Sequence, residues 1–285
     1  MSHTRYLLLA TSLVPFVSLC AQTSQPAANP AAAVSPGASH AASAPPRATQ
    51  SQDLAEAFRG ITTNGTVQSG LFSLRSTGVT TEPVRQAAAT FLTALTAEQK
   101  SQALFPVDDP EWRKWTNVHR AARQGVSFRE MSEMQRDAAF GLMRASLSAK
   151  GLRLSRDIMK LNETLGELNR DNFAEFGEWV YWITVMGEPS ETQPWGWQIE
   201  GHHLIINYFV LGDQVVMTPV FVGSEPVMAV AGKYQGTAIL QVEQNRGLEF
   251  LKSLEEPQRR RAVLQATKTG NNNQISHVAL LKRSL

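Results

Sequence analysis

Helical flanks around a central, mainly antiparallel β-meander, an α+β arrangement, follow from three features of this 285-residue sequence. Amphipathic helical periodicity runs through residues 82–168. Stretches rich in aromatic and β-branched residues occupy 178–221. Helical spacing then returns around 250–263. Helices, then strands, then helices is not the alternation that builds a parallel sheet.

The chain opens on an expected export signal, residues 1–20. Arg5 supplies the positive start and "LLLATSLVPFVSLC" the apolar stretch, which is too short for a transmembrane helix. Ser18 and Cys20 suit an ordinary cleavage site. Cys20 also suits the lipidated first residue of a lipoprotein, although Leu19 is bulky for the position before it. Both routes predict a periplasmic or secreted protein that meets the membrane only through its signal or a lipid anchor at Cys20. Cys20 is the only cysteine, so the exported part has neither a disulfide nor a cysteine nucleophile. Residues 21–52 are rich in Ala, Pro and Ser and are expected to form a disordered spacer. A single domain is expected over 53–274, followed by a divergent tail at 275–285.

Within the domain, "EPVRQAAATFLTAL" places Val84, Ala88, Phe91, Leu92 and Leu95 on one helical face, with Pro83 in the first turn. Ser127 and Glu130 form a capping box that predicts a helix start, with Met131, Met134, Ala138, Leu142 and Ala145 as its apolar stripe. A third helix carries Ile158, Leu161, Leu165 and Leu168. "FLTALTAEQKSQAL" and "FLKSLEEPQRRRAV" echo one another, which reads as two similar helix pairs flanking the sheet.

"EWVYWITVM" is apolar on both alternating faces, as in a strand buried on two sides. "HHLIINYFV" and "QVVMTPVF" are joined through "LGD", a hairpin signal, and Pro219 pushes the second run to a sheet edge.

The 27 basic and 25 acidic residues nearly cancel and form no stripe, which excludes the electrostatic footprint of a nucleic-acid binder. Interest centres on "WGWQIEGHHLIINYF". In an extended chain Glu200 and His202 share a face, so a carboxylate and an imidazole converge on one ion or one substrate atom. Strand alternation sends His203 to the other face with Trp197 and Asn207, and Gly201 permits a bulge that would realign the histidines. His119 is the candidate third ligand, with Asp108 and Asp109 as nearby carboxylates, but the spacing fits no standard zinc signature. The competing reading is that Glu200 and His202 are hydrogen-bonded to each other or to loop backbone at a strand's entrance. Ser224 lacks a nucleophile elbow and reads as a turn residue. The tryptophans 179, 182, 195 and 197 either line an apolar or sugar-binding groove or fill a core.

"LFPVDDPEWRKWTNVHR", "RQGVSFREMS", "GEWVYWITVMGEPS" and "PWGWQIEGHHLIINYFVLGDQVVMTPVFVGSEP" together resemble the domain-of-unknown-function family 3500, over about residues 68–274. The "EGHHL" segment is the most specific part. The family is found in secreted or membrane-associated bacterial proteins among others, which agrees with the expected signal, and the resemblance implies no reaction. Members continue into further strands and another histidine-containing stretch, so it also implies that this copy is truncated where "ISHVALLKRSL" begins and lacks part of any site shared with that region.

Two functions remain open on the sequence. One is an extracytoplasmic hydrolase using a divalent metal ion on Glu200, His202 and His119, or acid–base chemistry at Glu200, His202 and His203. The other is a non-catalytic module that binds a small-molecule ligand along Trp195, Trp197 and Asn207.

Overall fold

A computed structural model of the chain describes residues 66–263, apart from 67, 71, 72 and 74. The expected signal, spacer and divergent tail lie outside the described residues.

The first helix, α1 (Glu82–Ala94), begins with Pro83, whose missing N–H has no helical partner to lose in the first turn. Its expected stripe is the buried one: Val84, Ala88, Phe91 and Leu92 enter the core, with Leu95 just beyond the helix end. A short α2 (Ala97–Ala103) follows, closed by a capping box between Thr96 and Gln99. The chain then makes β1 (Leu104–Phe105), a 3-10 turn over Pro110–Arg113 capped by Asp109, and a strap at 114–124 without regular secondary structure.

The next helix starts later than the Ser127 box predicts. Ser127 lies in β2 (Val126–Ser127), paired with Trp182, and its hydroxyl accepts from Arg129 N at 3.2 Å. The helix α3 (Glu133–Ser146) is capped by Ser132, boxed with Gln135. Two capping signals stand five residues apart, and strand pairing claims the first. The later start leaves Met134 70% exposed, whereas Met131, Leu142 and the half-buried Ala138 and Ala145 still meet the core. Gln135 also donates to Ala94 O at 2.9 Å and Gln99 Oε1 at 2.7 Å, tying the α3 start to the α1–α2 corner.

The long helix α4 (Ala149–Leu168) buries Ile158 and Leu161 as expected, while Leu168 is exposed. Its buried face also carries Ser155, Asn162 and Thr164, polar residues inside an apolar stripe. After α5 (Phe173–Phe176) come β3 (Tyr181–Met186), β4 (Trp195–Gly201), β5 (Leu204–Leu211), β6 (Gln214–Val216) and β7 (Val220–Val222). The helices α6 (Gln241–Ser253) and α7 (Glu256–Ala262) end the described chain.

The seven strands form one mixed, mostly antiparallel sheet. Its centre is β3–β4–β5. On the outer side of β3, β1 pairs parallel and β2 antiparallel, while β6 and β7 share the outer side of β5. Leu211 and Gln214 close the predicted "LGD" hairpin, with Gly212 in the left-handed conformation at φ 58°. Pro219 sits between the two short edge strands, where no ladder N–H is required of it.

Register gives the sheet two different faces. Tyr181, Ile183 and Val185 align with Gly201, Ile199 and Trp197, and these with Leu204, Ile206 and Tyr208. That face is apolar and joins the stripes of α1, α3 and α4 in one core. The opposite face carries Thr184, Gln198 and Asn207 in a row across three strands, with Glu200 beside them, all buried. Among the described residues no helical layer covers it. Trp112 of the 3-10 turn packs edge-on against Phe209 at 6.5 Å, and the strap lies over the rest.

The sequence echo is a real local repeat. Both α1–α2 and α6–α7 are a helix, one extended leucine (Leu95, Leu254) and a boxed helix with glutamine at the third position (Gln99, Gln258). Burial separates them: Phe91 is fully buried, whereas its counterpart Phe250 is 67% exposed and α6 and α7 bury no residue.

Candidate functional site

His202 and His203 are the two residues of the tight turn between β4 and β5, since Gly201 pairs directly with Leu204. The extended alternation expected through 202–203 therefore does not occur. His203 adopts φ 61°, a left-handed conformation that a non-glycine residue holds at a cost. Gly201 forms no bulge. It keeps register with both neighbours, and its missing Cβ makes room for the Tyr181 ring, whose hydroxyl donates to His202 O at 3.0 Å. The turn thus places two imidazoles side by side, with ring centroids 4.1 Å apart.

A third ring joins them from the strap. His119 lies edge-on to His202 at 5.4 Å and against Phe176 at 4.7 Å. His203 stacks on Phe221 at 6.1 Å, while its carbonyl accepts from Gly223 N at 2.9 Å. The result is a patch of three histidines and two phenylalanines at the end of the sheet, with His119, His203 and Phe221 partly open to solvent. Glu175 approaches His119 Nε2 at 3.8 Å and pairs with Arg120 at 2.8 Å.

The orientation of His202 comes from helix α4. Asn162 Nδ2 donates to Gly177 O at 2.9 Å, so its Oδ1 is the acceptor facing His202 Nδ1 at 2.9 Å. His202 therefore carries its proton on Nδ1 and leaves Nε2 as a lone-pair acceptor. Burial, aided by the neighbouring His203, His119 and Arg123, holds the His202 pKa down at about 3. Burial lowers His119 and His203 as well. All three rings are neutral near pH 7.

Glu200 belongs to a different neighbourhood. It lies on the polar face under the strap, accepting from Thr116 N at 3.2 Å and facing Arg123 Nε at 3.6 Å. It makes no hydrogen bond or ion pair with His202. The Arg123 side chain is 1% exposed and lies 5.3 Å from the Trp182 ring centre. Its guanidinium donates to the strap's own carbonyls, chiefly Val118 at 2.6 Å and Thr116 at 2.9 Å. Glu200 and Arg123 thereby form a clasp that seats the strap and, with it, His119. Burial outweighs attraction within the pair, pushing Glu200 up to about 7 and lowering Arg123.

The expected ligand set of Glu200, His202 and His119 is thus divided: the two histidines meet and the carboxylate does not join them. Among the described residues, no group of three or more His, Cys, Asp or Glu side chains is placed to hold a metal ion. Trp195 and Trp197 are fully buried and line no groove. Their indole N–H groups donate to Ser190 O at 3.0 Å and Ser146 Oγ at 3.1 Å, so even their polar edges are used in packing. Asn207 shares a face with Gln198, not with Trp197, and donates to Pro219 O at 2.9 Å. The two-residue turn reverses the chain, so faces must be counted across the pairing and not along an uninterrupted strand. Asp109 caps the 3-10 turn, and the Ser224 hydroxyl donates to Pro226 O at 2.6 Å in the loop after β7.

Asn162, Glu175 and Arg123 carry much of this geometry and were absent from the expected set. Only Asn162 left a trace in the sequence: it stands at core spacing, four residues after Ile158 and three before Leu165. Among the described residues no helix is long and apolar enough to cross a membrane.

Fold and site together define an α+β domain with a neutral histidine–aromatic patch at one end of its sheet. The chain belongs to the family described as protein of unknown function (DUF3500), which it matches over residues 77–282, well into the stretch read as a divergent tail. No curated protein and no solved structure matches it.

Proposed function

We propose that this is an extracytoplasmic ligand-binding domain whose site is the His119–His202–His203 patch. The observation that carries the reading is the Asn162–His202 hydrogen bond, which presents an uncharged imidazole with Nε2 free to accept. Fixing one imidazole tautomer from behind is how ligand-binding and metal-binding histidines are prepared. The aromatic faces of Phe176 and Phe221 suit a small ligand with an apolar portion and a hydrogen-bond donor. A hydrolase is the second reading, favoured by His119 lying 3.8 Å from Glu175. It ranks lower because Glu200 is committed to Arg123 and because His202 is too weak a base to work near neutrality.

Thermal melts of wild type and His202→Ala across a panel of small molecules and divalent metal salts test the site. A ligand that raises the wild-type melting temperature but not that of an equally stable His202→Ala supports it. A variant destabilised by about 1–3 kcal/mol, with every ligand response unchanged, makes His202 a structural residue and ends the reading. The extracytoplasmic part rests on residues 1–20 and predicts a mature chain beginning at or just after Cys20. Mass spectrometry of protein from the cell envelope checks it: a cytosolic chain still starting at Met1 contradicts export, and a diacylglycerol adduct on Cys20 selects the lipoprotein form.

A further inference from the structure

A second concave surface lies where α3 hands over to α4. It is a groove of about 560 Å³. Arg144 stands on its α3 wall, and Arg153, Arg156 and Lys160 on its α4 wall. The one carboxylate in the lining, Asp157, is taken by Lys160 at 2.8 Å. Arg144, Arg153 and Arg156 have no acidic partner among the described residues, and all three are exposed. Guanidiniums that line one groove without acidic partners favour the entry of an anion.

Arg156 is prepared for such a role. Its guanidinium sits 4.8 Å from the centre of the Phe140 ring. The ring faces the cation without using its N–H donors, and among the described residues these donate to nothing. Leu147, Ala149 and Leu152 add apolar lining. Planar forked donors match carboxylate and phosphate oxygens, and apolar lining suits a carbon skeleton.

We propose that the α3–α4 groove binds a small organic polyanion through Arg144, Arg153 and Arg156. The ligand carries two or more oxyanion groups, carboxylate or phosphate, on a compact carbon framework. The proposal shares no residue with the histidine patch and stands or falls separately from it.

Calorimetric titration of the full chain with citrate and with pyrophosphate tests it. At least one probe binds at low ionic strength with a dissociation constant below about 1 mM, and binding weakens as salt is added. Arg153→Ala combined with Arg156→Ala weakens it by about tenfold or more. Arg156→Lys also weakens it, because a lysine keeps the charge but loses the planar fork. Arg261→Ala, which removes an exposed cation elsewhere, leaves it unchanged. Binding of citrate alone assigns a polycarboxylate, pyrophosphate alone a phosphate ester, and both a site that reads oxyanion geometry in either form. No binding by either probe at about 10 mM overturns the proposal. So does equal weakening by Arg261→Ala and Arg153→Ala, which would reduce the effect to net charge. If the double variant fails to fold, Arg144→Ala alone carries the same test from the α3 side.

Discussion

Asn162 Oδ1 stands 2.9 Å from His202 Nδ1, and because the same amide donates to Gly177 O through Nδ2, its oxygen can only accept. A residue in the middle of α4 therefore decides which nitrogen of a turn histidine bears the proton. Asn162→Ala removes a buried acceptor and a buried donor together. It is expected to cost about 1–3 kcal/mol in chemical denaturation, since His202 Nδ1–H and Gly177 O both lose their partner. Nitrogen NMR of the imidazole gives the specific check. Wild type shows a protonated Nδ1 at His202, and the variant shows a mixture of tautomers. A mixture already present in wild type contradicts the assignment.

Stability should respond to pH through Glu200 and His202 with opposite signs. Burial raises the Glu200 carboxyl from 4.5 to about 7, so the folded state prefers the protonated acid. Its contribution is fully present below pH 4.5 and is lost as pH rises through about 7. His202 is depressed from 6.5 to about 3, so the folded state prefers the neutral ring. Its contribution is present above pH 6.5 and is lost as pH falls toward about 3. Between pH 4.5 and 6.5 the two oppose each other. Glu200→Gln removes only the first. Urea denaturation across the range should show the variant gaining on wild type as pH rises from 4.5 to about 7. Parallel curves would mean that Glu200 titrates alike in both states.

His203 holds a positive φ of 61°, which separates the role of its ring from that of its backbone. His203→Gly and His203→Ala delete the same imidazole. The glycine variant should nevertheless be more stable by about 1 kcal/mol, because only the alanine keeps a Cβ in the left-handed region. Thermal melts of the pair measure it. Identical stabilities would show that the turn relaxes to another geometry once the ring is gone.

The Ser132 cap distinguishes the two candidate starts of α3. Ser132→Ala should lower stability by about 1 kcal/mol and speed hydrogen exchange at Gln135 N, the amide that the serine hydroxyl accepts from. Ser127→Ala should leave that amide protected, since Ser127 serves β2 and not the helix. Gln135→Ala should cost more than Ser132→Ala, because its amide also holds Ala94 O and Gln99 Oε1. Equal exchange rates in the two serine variants would return the helix start to Ser127.

What the sequence determined by itself was whatever depends on near neighbours. The α1 stripe from Val84 to Leu92, the two-sided burial of β3, the hairpin at Gly212, the edge position of Pro219 and the repeated helix–box unit all follow from spacing, turn chemistry and propensity. Those forces act within a few residues, so the order of side chains is enough to reveal them. Tertiary structure decided the rest. Ser127 and Ser132 offered rival caps, and pairing with Trp182, more than fifty residues away, took the first. Glu200 and His202 stand two residues apart, yet a strand end and a turn send one to Arg123 and the other to Asn162. The site is made of partners from the strap, α4 and the β4–β5 turn, and side chains that meet across such distances leave no period in the sequence. Whether an apolar stripe is covered is likewise settled by what packs on it, which is why Phe91 is core and Phe250, its echo, is surface.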